Sequence, residues 1–476
     1  MLFLFSPSLA ATLSVSTSGP YTTIGSAIAA ASSGDTITVA AGTWSECIDF
    51  SGKDLAIEGA GIGTTTLAGG GSCTNAVTVD SGETASLSGL TITNTGMRAV
   101  YVSRSTLELD TVEVTDAGST SLIGAGVYVS EGAVTALDSS FELLRASSGG
   151  GIYATNASDL TIDGCTFAGN SASIYGGGVY IAEAAGTIVV SDSVFTDNSA
   201  TEGAAINLDT AGSGGLSVSG TTFSGGTATY GAAIAVSAGY PLAVSDSVFT
   251  DNVSTYAGGA VYAASSGSLT LSGVEFQSNT ASQYGGAVFG QSALDVTVDT
   301  CTFEANEAGR GGGLYLLGAS AAYTFALSDT SFRSNVSTLG DGGAAYLFTY
   351  TVSVSRSSFI ENESTQGGAL SSAASAPFTA SANLFCGNVS SGDGGAAMIS
   401  NSTTETWLNN LFIDNDATSR GGALASSSPT LYVRNNSFVG NAAANGGAIM
   451  LWTNSADLRD NVFAEGPAGV ALYTSR

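Results

Sequence analysis

Short runs of alternating apolar and polar residues recur along most of the chain: LTIDGCTF at 160–167, LSVSGTTF at 216–223, LAVSDSVF at 242–249, LTLSGVEF at 269–276, VTVDTCTF at 296–303 and LYVRNNSF at 431–438. In each, apolar residues fall seven and five positions before a Phe, after which the parity slips and a small or polar residue usually falls two before it. A period of two marks a strand with one buried face. The slip predicts a bulge or bend followed by a second short strand. No helical pattern interrupts this rhythm.

The Phe residues form a column: Phe141, Phe167, Phe195, Phe223, Phe249, Phe276, Phe303, Phe332, Phe359, Phe385, Phe412, Phe438 and Phe463, separated by 25 to 29 residues. Ten of the thirteen carry Asn three residues later, and a GG[AG][ILVA] signature follows most of them after a further short stretch. The nonapeptide VSDSVFTDN appears twice, at 190–198 and 244–252, two periods apart. Strands of three to five residues at such a period cannot bury their apolar faces alone, but stacked coils can. Each strand then pairs in parallel with its equivalents about 4.8 Å away, which rewards like on like: Phe on Phe, and Asn amides bonded along a ladder. The pattern therefore predicts an all-β fold, a right-handed parallel β-helix of about 16 coils, with right-handed winding the default for parallel crossovers. In the last four coils the position two before Phe becomes Asn383, Asn410, Asn436 and Asn461, which predicts a second, inward Asn ladder.

At the N-terminus, residues 1–11 have the apolar run and small residues of a signal-peptide remnant. Within 12–34, Ile24, Ala27, Ile28 and Ala31 share one face of a short helix, a lid for the open end of the stack. Residues 35–476 then read as one continuous β-helix. No stretch reaches the roughly 18 to 20 apolar residues of a membrane span.

Composition narrows the chemistry. The chain of 476 residues carries 39 acidic and 11 basic side chains, for a formal net charge of −28, and Lys53 is its one lysine. Such a surface repels phosphate backbones and anionic lipid, so nucleic acid is excluded as a partner. With no histidine, every mechanism that needs imidazole falls away, and the five cysteines form no CxxC pair. Cys47 and Cys73, 26 residues apart, would meet in successive coils as a disulfide in an exported protein, whereas Cys165 and Cys301, both two before a Phe but five periods apart, should be free, buried thiols.

The run YTTIGSAIAAASSGDTITVAAGTWSECI at 21–48, with LSGLTITNT at 87–95, resembles the opening of pectin-lyase-fold proteins, the pectin methylesterases among them. The FxxN and GGA[ILV] signatures from Phe167 to Ile449 resemble the repeats of chlamydial polymorphic outer-membrane proteins and of bacterial surface β-helix proteins. The first resemblance implies enzymes acting on acidic polysaccharides, yet their motifs are missing: there is no NTD, no paired Asp-Asp, no GHG and no RxPxxR-type segment. Where methylesterases set their catalytic Gln and Asp, this chain has GMRAVYVSRSTLELD.

Two sets of residues remain as candidates. Arg98 and Arg104 beside Glu108 and Asp110 would suit a lyase that stabilises an enolate-like charge. Tyr153, Tyr180, Tyr262, Phe289, Tyr315 and Tyr346 each follow the aliphatic residue of the GG signature, and alternation turns such a column outward. Asp197, Asp251, Glu361, Asp414 and Glu465 recur two residues after Phe without occupying consecutive coils, so no metal is assigned, nor any cofactor. The reading that results is an adhesin-like, secreted or cell-surface β-helix with an adhesive, binding or structural role and no catalytic centre. Its partner is carbohydrate or another cell-surface protein, and its binding face the aromatic column. The second reading is a polysaccharide lyase or hydrolase of this fold using acids and Arg.

Overall fold

The computed structural model describes residues 10–69, 73–157, 159–184, 186–209, 214–237, 239–264, 267–292, 295–452, 455–464 and 472–474. The chain is a parallel β-solenoid of about 16 turns with almost no helix. It divides into two compact units, Met1–Ser199 and Ala200–Arg476.

In the second unit, one coil runs through strands Leu242–Ser245, Val248–Thr250, Val253–Ala257 and Val261–Ala264. Three residues in the left-handed region turn the chain between them: Asp246 (φ 46°), Asp251 (φ 55°) and Gly258 (φ 66°). Asp tolerates that region better than most residues, and Gly does so freely. The bend three residues before each Phe is what the sequence registers as a slip of parity. The second glycine of the GG pair has a different cause. A Cβ on Gly259 would lie 1.9 Å from the carbonyl oxygen of Gly286 in the next coil, so only glycine lets the two backbones stack there.

Within each unit the register holds like on like. Phe141, Phe167 and Phe195 stack at centroid distances of 4.6 and 4.7 Å, and Phe223 to Phe463 stack at 4.5 to 5.3 Å. Three residues on, the Asn side chains form a fully bonded ladder. Asn306 is a typical rung: its Nδ2 donates to the Phe276 carbonyl (3.0 Å) and to Asn335 Oδ1 (2.9 Å), while its Oδ1 accepts from the Asn279 backbone N–H (3.0 Å) and from Asn279 Nδ2 (3.0 Å). Asn383, Asn410 and Asn436 are buried and bond successively at 3.0 Å, and Asn436 bonds half-buried Asn461 at 3.2 Å.

The first unit begins its parallel ladder at Thr12–Val15, which pairs with Thr36–Val39, inside the stretch read as a cap. Helix Ile24–Ala30 follows, N-capped by Thr23 and burying Ile24, Ala27 and Ile28. The carboxylate of Glu46 accepts from the N–H groups of Ile24 (2.9 Å) and Gly25 (3.0 Å), and Lys53 Nζ donates to the carbonyls of Ile28 (2.7 Å) and Ala29 (3.1 Å). Opposite charges thus sit on the two ends of the helix, each where the backbone dipole favours it. Replacing Lys53 by Met is expected to cost about 1 kcal/mol locally. Amide exchange at Ala27 to Ala31 should then speed up about fivefold while the Phe strands stay protected. Cys47 and Cys73 form a disulfide with their Cα atoms 5.6 Å apart. Cys165 and Cys301 are buried free thiols, pushed up to about 11 chiefly by burial.

Candidate binding face

The strand after each GG pair sends its aliphatic residue inward and the next residue outward, and in two runs of coils those outward residues are aromatic in register, whereas the same position is Asn207 and Ala235 between the runs and Ser371, Met398, Ala425 and Met450 after them. In the first unit the column begins two coils before Tyr153: Tyr101 stacks on Tyr128 (5.5 Å, 8°), Tyr128 on Tyr153 (5.2 Å, 5°), and Tyr180 meets Tyr153 edge-on (5.3 Å, 60°). In the second unit Tyr262, Phe289, Tyr315 and Tyr346 stack at 5.1, 5.8 and 5.0 Å.

The column lies outside the lumen, but it is not the open face that alternation predicts. Tyr180, Phe289 and Tyr315 are only 7, 4 and 5 % exposed, and Tyr153, Tyr262 and Tyr346 are half-buried. A second set of rings covers them from the strand before the GG pair: Tyr175 packs on Tyr180 at 5.1 Å, Tyr230 on Tyr262 at 5.1 Å and Tyr284 on Tyr315 at 4.7 Å. Tyr256 extends this layer and is 41 % exposed. The sequence signal for the layer is a Tyr immediately before the first Gly, as in IYGGG, TYGAA and QYGGA, or one residue further back in TYAGGA. The accessible surface is therefore a ridge of tyrosine edges over a buried aromatic row.

Burial governs the titration of the row beneath. It pushes the hydroxyls of Tyr262 and Tyr315 up to about 12 and that of Tyr153 upward. The carboxyl of Glu202, beside Tyr262, is raised by its own burial and then by Asp209. The phenols of Tyr153, Tyr262 and Tyr315 stay protonated through the neutral range, so this covered row offers neutral O–H groups rather than a nucleophile or a base.

The lyase-like candidates do not assemble. Arg98 lies over the rings of Tyr128 (4.6 Å) and Tyr101 (5.6 Å) and donates to Asn75 Oδ1 (3.1 Å), the Gly124 carbonyl (3.1 Å) and the Ile123 carbonyl (3.0 Å). Arg104 is exposed at a left-handed turn, φ 52°. Among the described residues neither pairs with Glu108 or Asp110. Asp197, Asp251, Glu361 and Asp414 occupy left-handed corners (φ 51° to 56°), which explains their recurrence by backbone shape; Glu465 lies outside the described residues. Among the described residues, no three His, Cys, Asp or Glu side chains converge as a metal site, and no helix is long and apolar enough to cross a membrane.

A family model described as "Right handed beta helix region" matches residues 69–281 and 233–463. No curated protein matches the chain in sequence. Among solved structures, a pectin methylesterase in complex with a hexasaccharide is similar at 16 % identity over 44 % of this chain and 78 % of that one, with a TM-score of 0.29. The catalytic unit of a GH87 α-1,3-glucanase from Streptomyces thermodiastaticus is similar at 14 % identity over 98 % and 69 %, with a TM-score of 0.24. A PL6 family alginate lyase, AlyGC, is similar at 10 % identity over 95 % and 100 %, with a TM-score of 0.21.

Proposed function

Since the chain belongs to the right-handed β-helix family, we propose that it is a secreted or cell-surface solenoid that binds along its outer face and carries no reaction centre. The single observation behind this reading is the tyrosine ridge, in which Tyr175, Tyr230, Tyr256 and Tyr284 lie over a stacked aromatic row. Weak contacts repeated at each coil sum along the stack. Carbohydrate is the partner that suits such a surface, because ring faces cover the apolar faces of sugars and phenols bond their hydroxyls. The net charge of −28 favours neutral glycans over polyuronates, and most strongly at low salt. The likeness of the FxxN and GGA[ILV] repeats to chlamydial outer-membrane proteins supports display at a cell surface.

Affinity electrophoresis through gels containing neutral glucans, xylans or polyuronates tests the reading. Retardation by a neutral glycan is expected, weakened about tenfold, or about 1.4 kcal/mol, in the Tyr256→Ala, Tyr284→Ala double variant. Retardation that ignores both substitutions, or that occurs only with polyuronates, would remove the ridge as the site.

A further inference from the structure

On the second unit, the strands centred on Phe present a distinct outer face. Each Phe points into the lumen, so the residues just before and after it point out. Up to Phe332 these outward positions are mostly polar, as at Glu275, Gln277, Glu304 and Arg333. In the next coils they turn apolar. Ile360, Cys386, Ile413 and Val439 stack in register in one column, and Leu384 on Leu411 in the adjacent one. Leu411 and Val439 are 37 and 36 % exposed, and the other four are partly open. Single apolar residues on a surface call for no explanation, but a column over four coils with a second over two of them forms a patch.

The charges at the edge of this patch differ from those of the chain as a whole. Arg333 pairs with Glu361 (3.5 Å), Arg356 with Asp329 (2.6 Å), and Arg434 and Arg459 share Asp457. Arg356 and Asp329 line one shallow cavity of about 470 Å³ with Leu384, Arg333 is in register with Ile360, and Arg434 is in register with Leu408 one bend away from Leu411. Asp414 and Asp460 lie close by. Counting Glu304, in register with Arg333, and Asp299, which acts on Arg356, four of the chain's 11 cations face seven carboxylates here, a far higher share of cations than the 11 against 39 of the whole chain. Two copies of so acidic a protein repel each other at most orientations, and the approach least opposed is through the face where charge is partly compensated. A patch that carries apolar columns and both signs of charge is also complementary to itself, as a two-fold contact requires.

We propose that this face, centred on Leu411 and Ile413, is the contact between two copies of the chain in a weak, salt-strengthened dimer. With none of its six apolar residues more than 37 % exposed, the patch offers far less apolar surface than the roughly 800 Å² per partner of a stable interface, so association is reversible and rises with concentration. Raising salt from about 0.01 M to about 0.5 M strengthens it by screening the repulsion between the two bodies.

Sedimentation equilibrium of the full chain at both salt concentrations tests the proposal. The expected result is a weight-average mass that rises with loading and with salt. Ile413→Asp or Val439→Lys should weaken association at least tenfold, while Thr250→Asp, in the same column outside the patch, leaves it unchanged. Alkylation of Cys386 should slow as the wild-type concentration rises and should not slow in Ile413→Asp. Val439→Lys, at a more exposed site, keeps the test decisive if Ile413→Asp impairs folding. A monomer at every loading and salt, or association indifferent to both patch variants, overturns the proposal.

Discussion

Replacing Asn306 by Leu is expected to destabilise the second unit by about 3 to 6 kcal/mol, a large effect for a single residue that touches no ligand. The rung is fully buried, and its removal leaves the Asn279 N–H without its partner while taking one bond each from the Phe276 carbonyl and from the amides of Asn279 and Asn335. Each unsatisfied buried group costs about 1 to 3 kcal/mol, so the sum outweighs the gain from burying a larger apolar side chain. Leucine is also branched where the ladder needs a flat amide between neighbours 4.8 Å apart, at about the strand spacing. Denaturant unfolding would register the loss as a lower midpoint, and hydrogen exchange would localise it to the coils around Phe303. A variant as stable as wild type would mean that the ladder stores no net stability.

Replacing Glu405 by Gln should have the opposite sign, and only above acid pH. Glu405 is fully buried in a lumen column where its neighbours in register are Phe378 and Leu431. Its carboxyl accepts from Trp407 Nε1 (2.6 Å) and Ser426 Oγ (2.5 Å), and Ser428 lies beside it. Burial pushes it from an ordinary 4.5 up to about 7, more than these hydrogen bonds pull it back. Below pH 4.5 the carboxyl is protonated folded or unfolded and costs nothing. As pH rises from 4.5 to about 7 only the unfolded chain ionises, so stability falls, levelling off above pH 7 at a loss of roughly 3 kcal/mol. Gln can accept from Trp407 and donate to Ser426 without a charge. Glu405→Gln should therefore match wild type at pH 4 and exceed it by roughly 3 kcal/mol at pH 8. Equal stability of the two proteins at pH 8 would show that the carboxyl is not confined as the structure has it.

Much of this architecture could be read from period and parity. The Phe column, the Asn ladders and the GG corners repeat because each coil meets the same neighbour, so one sequence position reports on one place in space. Glu405 was legible by the same rule, since it stands seven residues before Phe412 and Trp407 five before, both inward positions. What parity could not show is what lies over the outside of a sheet. Tyr180 and Tyr315 do point away from the lumen, as alternation requires, yet Tyr175 and Tyr284 reach over from the neighbouring strand and bury them. The early start of the ladder at Thr12–Val15 also escaped, because the turn and helix between it and Thr36–Val39 break the repeat.

A binding solenoid without a reaction centre is tested most directly by prolonged incubation with a panel of neutral and uronic-acid polysaccharides, recording unsaturated-product absorbance and new reducing ends. Both signals are expected to stay at the level of the protein-free control for every substrate. Product that accumulates with wild type and disappears on changing Arg98 or Arg104 to Ala would contradict the account.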